Sequence, residues 1–125
     1  MSTAVGTDVD QVIAVATDYL TSFYSGSAEE RAARIERVLH PHLAKRRPSA
    51  VREDGTFYEW TLAEMIKIAA GSVDESPKRP YSVKLLDLFR NMASVRTDAA
   101  WGIDYMHLAK IDGQWKVVNV LWDEA

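Results

Sequence analysis

The chain has 125 residues, 47% of them hydrophobic, with 15 Lys and Arg against 18 Asp and Glu for a net charge of −3. That length fits a single domain over residues 1–125, and the weak negative charge gives no basic field for nucleic acid or anionic lipid. The absence of cysteine excludes disulfide frameworks, thiolate metal sites and cysteine nucleophiles.

The N-terminal stretch MSTAVGTDVDQ has neither the basic region nor the apolar core of a signal peptide. No apolar run approaches the roughly 20 residues of a membrane span. A soluble, cytoplasmic protein with no membrane or nucleic-acid partner is expected, with residues 1–7 flexible. Asp8 to Ser25 reads as a helix, because Val12, Val15, Ala16, Tyr19, Leu20 and Phe23 recur at helical spacing. Gly26 suits its C-terminal cap. Ser27-Ala28-Glu29-Glu30 matches a capping box and opens a second helix to about Leu39, ended by Pro41.

From Leu43 to Trp60 the pattern is weaker. Asp54-Gly55 signals a turn, so an edge hairpin is expected, with Phe57, Tyr58 and Trp60 on its second arm. Thr61-Leu62-Ala63-Glu64 is another capping box and starts a third helix to about Ala70, closed by Gly71. Val73 to Pro80 reads as a polar linker. Four strand-like runs follow: Ser82–Arg90, Ala93–Ala99, Trp101–Ile111 and Gln114–Trp122. Helices first and an antiparallel meander afterwards give an α+β fold with three helices on one face of the sheet.

The last two strands carry apolar residues on both alternating sets. Trp115, Val117 and Leu121 lie on one, and Val118, Val120 and Trp122 on the other. Helices can cover one face; the expected cover for the second is another copy of the chain, a twofold homodimer through the outer sheet face. A type I turn with Gly113 left-handed would set Tyr105 opposite Asn119 and His107 opposite Val117, grouping Tyr105, His107 and Asn119 on one face. A two-residue turn would shift the register by one.

The amphipathic first helix ending YLTSFYSGSAEE, then VLHPHLAKR, TLAEMIKIA and WGIDYMHLAKIDGQWKVVNVLW together resemble the nuclear transport factor 2-like superfamily. The match is nearest the branch called putative lumazine-binding, close to the SnoaL-like polyketide cyclases. The resemblance implies a cone: a curved sheet wraps the helices and encloses a pocket, and dimers pair through the outer sheet face. It leaves function open, because the scaffold carries isomerases, dehydratases, cyclases and non-catalytic modules.

The expected ligand is a small apolar or aromatic molecule, held by Tyr19, Phe23, Tyr58, Trp60, Trp101, Trp115 and Asn119. A cofactor-independent isomerase, dehydratase or cyclase is the alternative, with His107 as general acid/base and Tyr105 as a donor to a developing enolate. Asp104 is the rival base, since the superfamily's isomerases and cyclases often use a buried carboxylate; it is expected to point away from Tyr105 and His107 and to pair with a cation across the dimer. A third reading is a structural or partner-binding dimer with a filled cone. His40 and His42 flank Pro41 without a third ligand, so no metal site is assigned. Lys45, Arg46 and Arg47 read as a charged edge strand, with contact to an anionic ligand at the cone mouth as the alternative. No nucleotide loop or cofactor motif is present.

Overall fold

The computed structural model describes residues 7–72 and 81–124, so the expectations for residues 1–6 and for the linker at Val73 to Pro80 fall outside the described residues. In chain order the elements are α1 (Asp8–Thr21), α2 (Ala28–Val38), β1 (Leu39–Arg46), α3 (Leu62–Gly71), β2 (Ser82–Phe89), β3 (Met92–Ala99), β4 (Gly102–Ile111) and β5 (Gln114–Asp123). The three helices and the four-strand antiparallel meander form as the periodicities indicate.

Each helix starts where a side chain can satisfy its first free N–H groups. The Thr7 hydroxyl accepts from the Asp10 amide at 3.2 Å, so Thr7 caps α1. In α2, Ser27 Oγ accepts from the Glu30 amide while Glu30 Oε1 accepts from the Ser27 amide at 2.9 Å. Thr61 and Glu64 close the same reciprocal pair at α3. Such a cap stabilises a helix by about 1 kcal/mol. At its other end, α3 delivers its carbonyls to Arg31, which reaches across from α2. Arg31 donates through Nε to Ala69 at 2.9 Å and through Nη2 to Ala70 at 3.1 Å and Ser72 at 2.8 Å, with Nη1 on the Gly26 carbonyl.

The first departure from the sequence reading lies at Leu39. No loop follows α2; the chain passes straight into β1, which runs parallel to β5 and makes the sheet five-stranded, in the order β1-β5-β4-β3-β2. Pro41 and His40 belong to this strand, not to a helix end. The ladder accommodates the proline because its register is broken between Leu39, opposite Val117, and Ala44, opposite Asn119. The expected hairpin after it is rudimentary. Val51 bridges Phe57, and Trp60 returns to β1 by exchanging backbone hydrogen bonds with Lys45 at 2.9 and 3.1 Å.

The second departure concerns the two apolar sets of β5. Asp112 and Gly113 both take positive φ, 51° and 79°, which makes a two-residue turn between the paired Ile111 and Gln114. Near the turn Leu108 faces Val117; beyond it His107 faces Asn119, so Val118 is an extra residue, a β-bulge. The bulge changes which parity points inward. Trp115 and Val117 face the helices before it, and Val120 and Trp122 after it. One buried face therefore explains most of what alternation alone divides between two. β2 repeats the device: Leu86 is the extra residue between Leu85, opposite Val95, and Asp87, opposite Ser94.

The core lies between the helices and the inner sheet face. Val12, Ala16, Tyr19 and Leu20 of α1 and Ile35 of α2 meet Val95, Met106, Leu108, Val117 and Val120, all buried. Each large apolar side chain buried there contributes roughly 1.5–3 kcal/mol. Among the described residues, no helix is long and apolar enough to cross a membrane.

Candidate functional site

At one end of the core the packing opens into a cavity of about 460 Å³. Phe23 and Tyr24 reach it from the end of α1, Met65, Ile68 and Gly71 from α3, Trp60 from the return to β1, Trp101 from the β3–β4 turn and Trp122 from β5. The aromatic side chains meet edge to face: Phe23 lies 5.1 Å from Trp101, and Trp60 lies 6.3 Å from Trp122, between ring centroids. The wall is thus a stack of ring faces and edges suited to a flat apolar guest. Gly102, beside Trp101, has φ +146°, and a Cβ there would fall 2.1 Å from the Asp123 carbonyl oxygen, so the turn carrying Trp101 requires glycine.

Lys45 is the cationic member of the lining. It follows Leu43 at the two-residue strand period, so its side chain points inward. Nζ donates to Tyr19 Oη at 2.6 Å and lies 3.5 Å from Asp104 Oδ1, an ion-pair contact at the outer limit of a hydrogen bond. The rings of Tyr19, Trp122 and Phe23 stand 5.3, 5.2 and 5.9 Å from it. Asp104 is fully buried and accepts on Oδ2 from Thr97 Oγ1 at 3.0 Å and from Trp101 Nε1 at 3.3 Å. Its partner is therefore in the same chain, and the expected pairing across a dimer is corrected. The reason is the inward turn of Lys45, which a reading of Lys45-Arg46-Arg47 as a solvated charge run conceals.

Burial lowers the pKa of Lys45 from its ordinary 10.5, and the Asp104 carboxylate opposes the shift. Burial raises the Tyr19 phenol well above 10.0, and the charge on Asp104 adds to that rise. An acid with a raised folded-state pKa contributes stability that is complete below its unfolded value and is lost as pH climbs beyond it. Lys45 acts in the opposite sense, since its folded form releases its proton first. The Tyr19 part is isolated by comparison with Tyr19→Phe. We expect the stability advantage of the wild type to shrink by up to about 1.4 kcal/mol per pH unit above pH 10. Urea unfolding from pH 8 to 11 measures it; a constant gap would contradict the assignment.

The sequence-selected residues divide into two groups. Phe23, Trp60 and Trp101 line the cavity, Tyr19 and Asp104 lie directly behind Lys45, and Asp104 does point away from Tyr105 and His107 as expected. Trp115 is buried elsewhere, with Nε1 donating to Asp8 at the start of α1 at 3.0 Å, so it is structural. Tyr58 is exposed beneath the Arg52 guanidinium. Tyr105 and His107 project from the outer face of β4, exposed to solvent, and do not reach the cavity. Asn119 is with them: its Nδ2 lies 3.3 Å from His107 Nδ1, and its Oδ1 lies 3.5 Å from Arg46 Nη1. The three share a face as the sequence suggests, but it is the opposite face, because Met106 and Leu108 between them take the inward positions. Lys45, for which ligand contact at the cone mouth is the alternative to a charged edge, lines the cavity, and Tyr24, Met65 and Trp122 are lining residues that are not among the sequence-selected ones. Trp122 could be found only by placing the bulge at Val118. Among the described residues, no group of three His, Cys, Asp or Glu is arranged to hold a metal.

A family model described as putative lumazine-binding matches residues 7–123. No match to a curated protein sequence is found. Solved structures share the architecture. A nuclear transport factor 2-like protein of unknown function from Silicibacter pomeroyi is 12% identical, with all of both chains covered and a TM-score of 0.75. Another, from Methylobacillus flagellatus, is 22% identical over 100% of this chain and 98% of that one, with a TM-score of 0.66. A putative scytalone dehydratase from Novosphingobium aromaticivorans is 11% identical over 94% and 84%, with a TM-score of 0.63. At these identities the likeness is one of fold. With the family model spanning nearly the whole chain, the chain belongs to the putative lumazine-binding family, and its fold is that of the nuclear transport factor 2-like proteins.

Proposed function

We propose that the protein holds a small, flat, mostly apolar molecule in the cavity bounded by Phe23, Trp60, Trp101 and Trp122. The observation that carries this is the cavity itself: about 460 Å³ of space beside five aromatic side chains and one lysine. A filled cone would leave no such volume, and pockets of this size and lining suit small organic ligands. Ile68→Trp would place an indole in this space. N-phenyl-1-naphthylamine, an uncharged probe that brightens in apolar sites, is expected to bind the wild type and to bind Ile68→Trp at least about tenfold more weakly. Equal binding to both would move the ligand elsewhere.

The buried Asp104, hydrogen-bonded and paired behind the cavity wall, favours a second reading as an isomerase, dehydratase or cyclase. In this reading Lys45 is the lining group that meets the substrate, with Asp104 and Tyr19 behind it as its proton partners, since His107 faces solvent. Solvent-deuterium incorporation into an apolar ketone, abolished in Asp104→Asn, would support it; exchange unaffected by that change would exclude Asp104 as the base.

We also propose that two copies pair through the outer sheet face. Met92, Tyr105 and Leu121 are exposed there, 60%, 50% and 41% accessible, with Tyr105 directly opposite Leu121. Sedimentation equilibrium at micromolar concentration is expected to give twice the 14.0 kDa chain mass, and Tyr105→Asp with Leu121→Asp to give the monomer. A wild-type monomer would leave that patch unpaired.

A further inference from the structure

The charge balance at the cavity wall says more about the guest than the aromatic lining does. Lys45 has three ammonium hydrogens to place. Tyr19 Oη takes one at 2.6 Å and Asp104 Oδ1 lies 3.5 Å away, while the same side chain lines the cavity. Among the described residues, the lining contains no Asp, Glu, His, Asn or Gln. Ser72 directs its hydroxyl to the Ile68 carbonyl at 2.8 Å, and Trp101 directs its indole N–H to Asp104. On two further lining residues, Trp122 Nε1 and Tyr24 Oη are buried with no hydrogen-bond partner among the described residues. The lysine and the Trp122 indole can only donate and the Tyr24 hydroxyl can donate as well, so the guest that fits supplies the acceptor.

An acceptor could be an anion or a neutral oxygen, and Asp104 decides between them. The lysine charge is already matched by a carboxylate that is fully buried and accepts from Thr97 and Trp101. A carboxylate guest would bring a second negative charge to one cation. Among the described residues, no other Lys or Arg lines the cavity to compensate it, and burying an unpaired charge is strongly unfavourable. A cationic guest would face the ammonium. A carbonyl oxygen accepts the hydrogen bond without changing the charge.

Resting on the cavity-binding reading above, we infer that the ligand is an uncharged aromatic carbonyl compound whose oxygen accepts from Lys45. Asp104 sets that choice without touching the ligand, by neutralising the lysine. It is a specificity-determining residue at one remove.

Three near-isosteric probes test this on the full chain by isothermal titration calorimetry at pH 7: 2-acetylnaphthalene, 2-isopropenylnaphthalene and 2-naphthoate. The ketone is expected to bind at least about tenfold more tightly than either other probe. In Asp104→Asn the lysine charge is unmatched, and the ratio of naphthoate to ketone affinity is expected to rise at least about tenfold. If the hydrocarbon binds as well as the ketone, the cavity binds ligands but Lys45 does not select them, and the inference fails alone. Naphthoate binding most tightly to the wild type would overturn the role of Asp104. If no probe binds, the cavity reading falls and takes this inference with it. The wild-type series decides the matter even if Asp104→Asn does not fold.

Discussion

Lys45→Met is expected to destabilise the protein by roughly 3–5 kcal/mol at pH 7, as removal of one partner of a buried ion pair usually does. The loss comes from what is left behind. Asp104 is fully buried, and without Lys45 its charge has, among the described residues, the Thr97 hydroxyl and the Trp101 indole for company, both on Oδ2. Tyr19 Oη also loses its donor inside the core. A double change, Lys45→Met with Asp104→Leu, should recover most of the stability, because a packed apolar pair carries no desolvation penalty. Urea unfolding of the two variants and the wild type decides it. A Lys45→Met loss below about 1 kcal/mol would show that Asp104 finds another partner and would overturn the pairing as a source of stability. Restored stability in the double variant with lost ligand selectivity would place the pair in function rather than in folding.

Arg31→Met is expected to cost about 3 kcal/mol or more, by a different route. Arg31 is buried, and its guanidinium satisfies the carbonyls of Ala69, Ala70 and Ser72 at the end of α3 together with that of Gly26 before α2. Of these carbonyls, Ala69 also accepts from the Ser72 amide at 3.4 Å, and the helix dipole places partial negative charge at this end. Methionine fills similar space but removes the donors to these part-buried carbonyls. Lysine has one charged nitrogen and lacks the planar fork, so Arg31→Lys should recover less than half of the loss. Gly71 and Ser72 also line the cavity, so both variants should weaken N-phenyl-1-naphthylamine binding as α3 frays. Hydrogen exchange localises the effect: protection should fall first in the last turn of α3. Uniform loss over the sheet as well would mean that Arg31 supports global folding instead.

Much of this architecture is written in local signals. The capping boxes at Ser27 and Thr61 locate two helix starts, because a serine or threonine hydroxyl and a glutamate three residues on satisfy free amides wherever the chain lies. The helical stripe of α1 and the four meander strands follow from period alone. β1 was not legible, since a parallel pairing with β5 depends on a partner some 75 positions away in sequence, and Pro41 argues locally against a strand. The faces of β4 and β5 were not legible either. Their assignment turns on one extra residue, Val118, and a single bulge reverses every side chain beyond it.

The same distinction holds for the site. By itself the sequence determined an α+β chain of three capped helices and an antiparallel meander, and it supplied the aromatic residues Phe23, Trp60 and Trp101 that wall the cavity. Composition and short-range periodicity suffice for that, because caps, stripes and alternation are properties of neighbouring residues. Only the tertiary structure decided that His107 and Tyr105 face solvent, that Trp122 turns inward, and that Lys45, Tyr19 and Asp104 meet behind the cavity wall. Those three belong to β1, α1 and β4. Their meeting depends on the parallel pairing of β1, the bulge in β5 and the dense packing of one sheet face against α1, and a charge in a run of lysine and arginine becomes a buried one only when that packing forms.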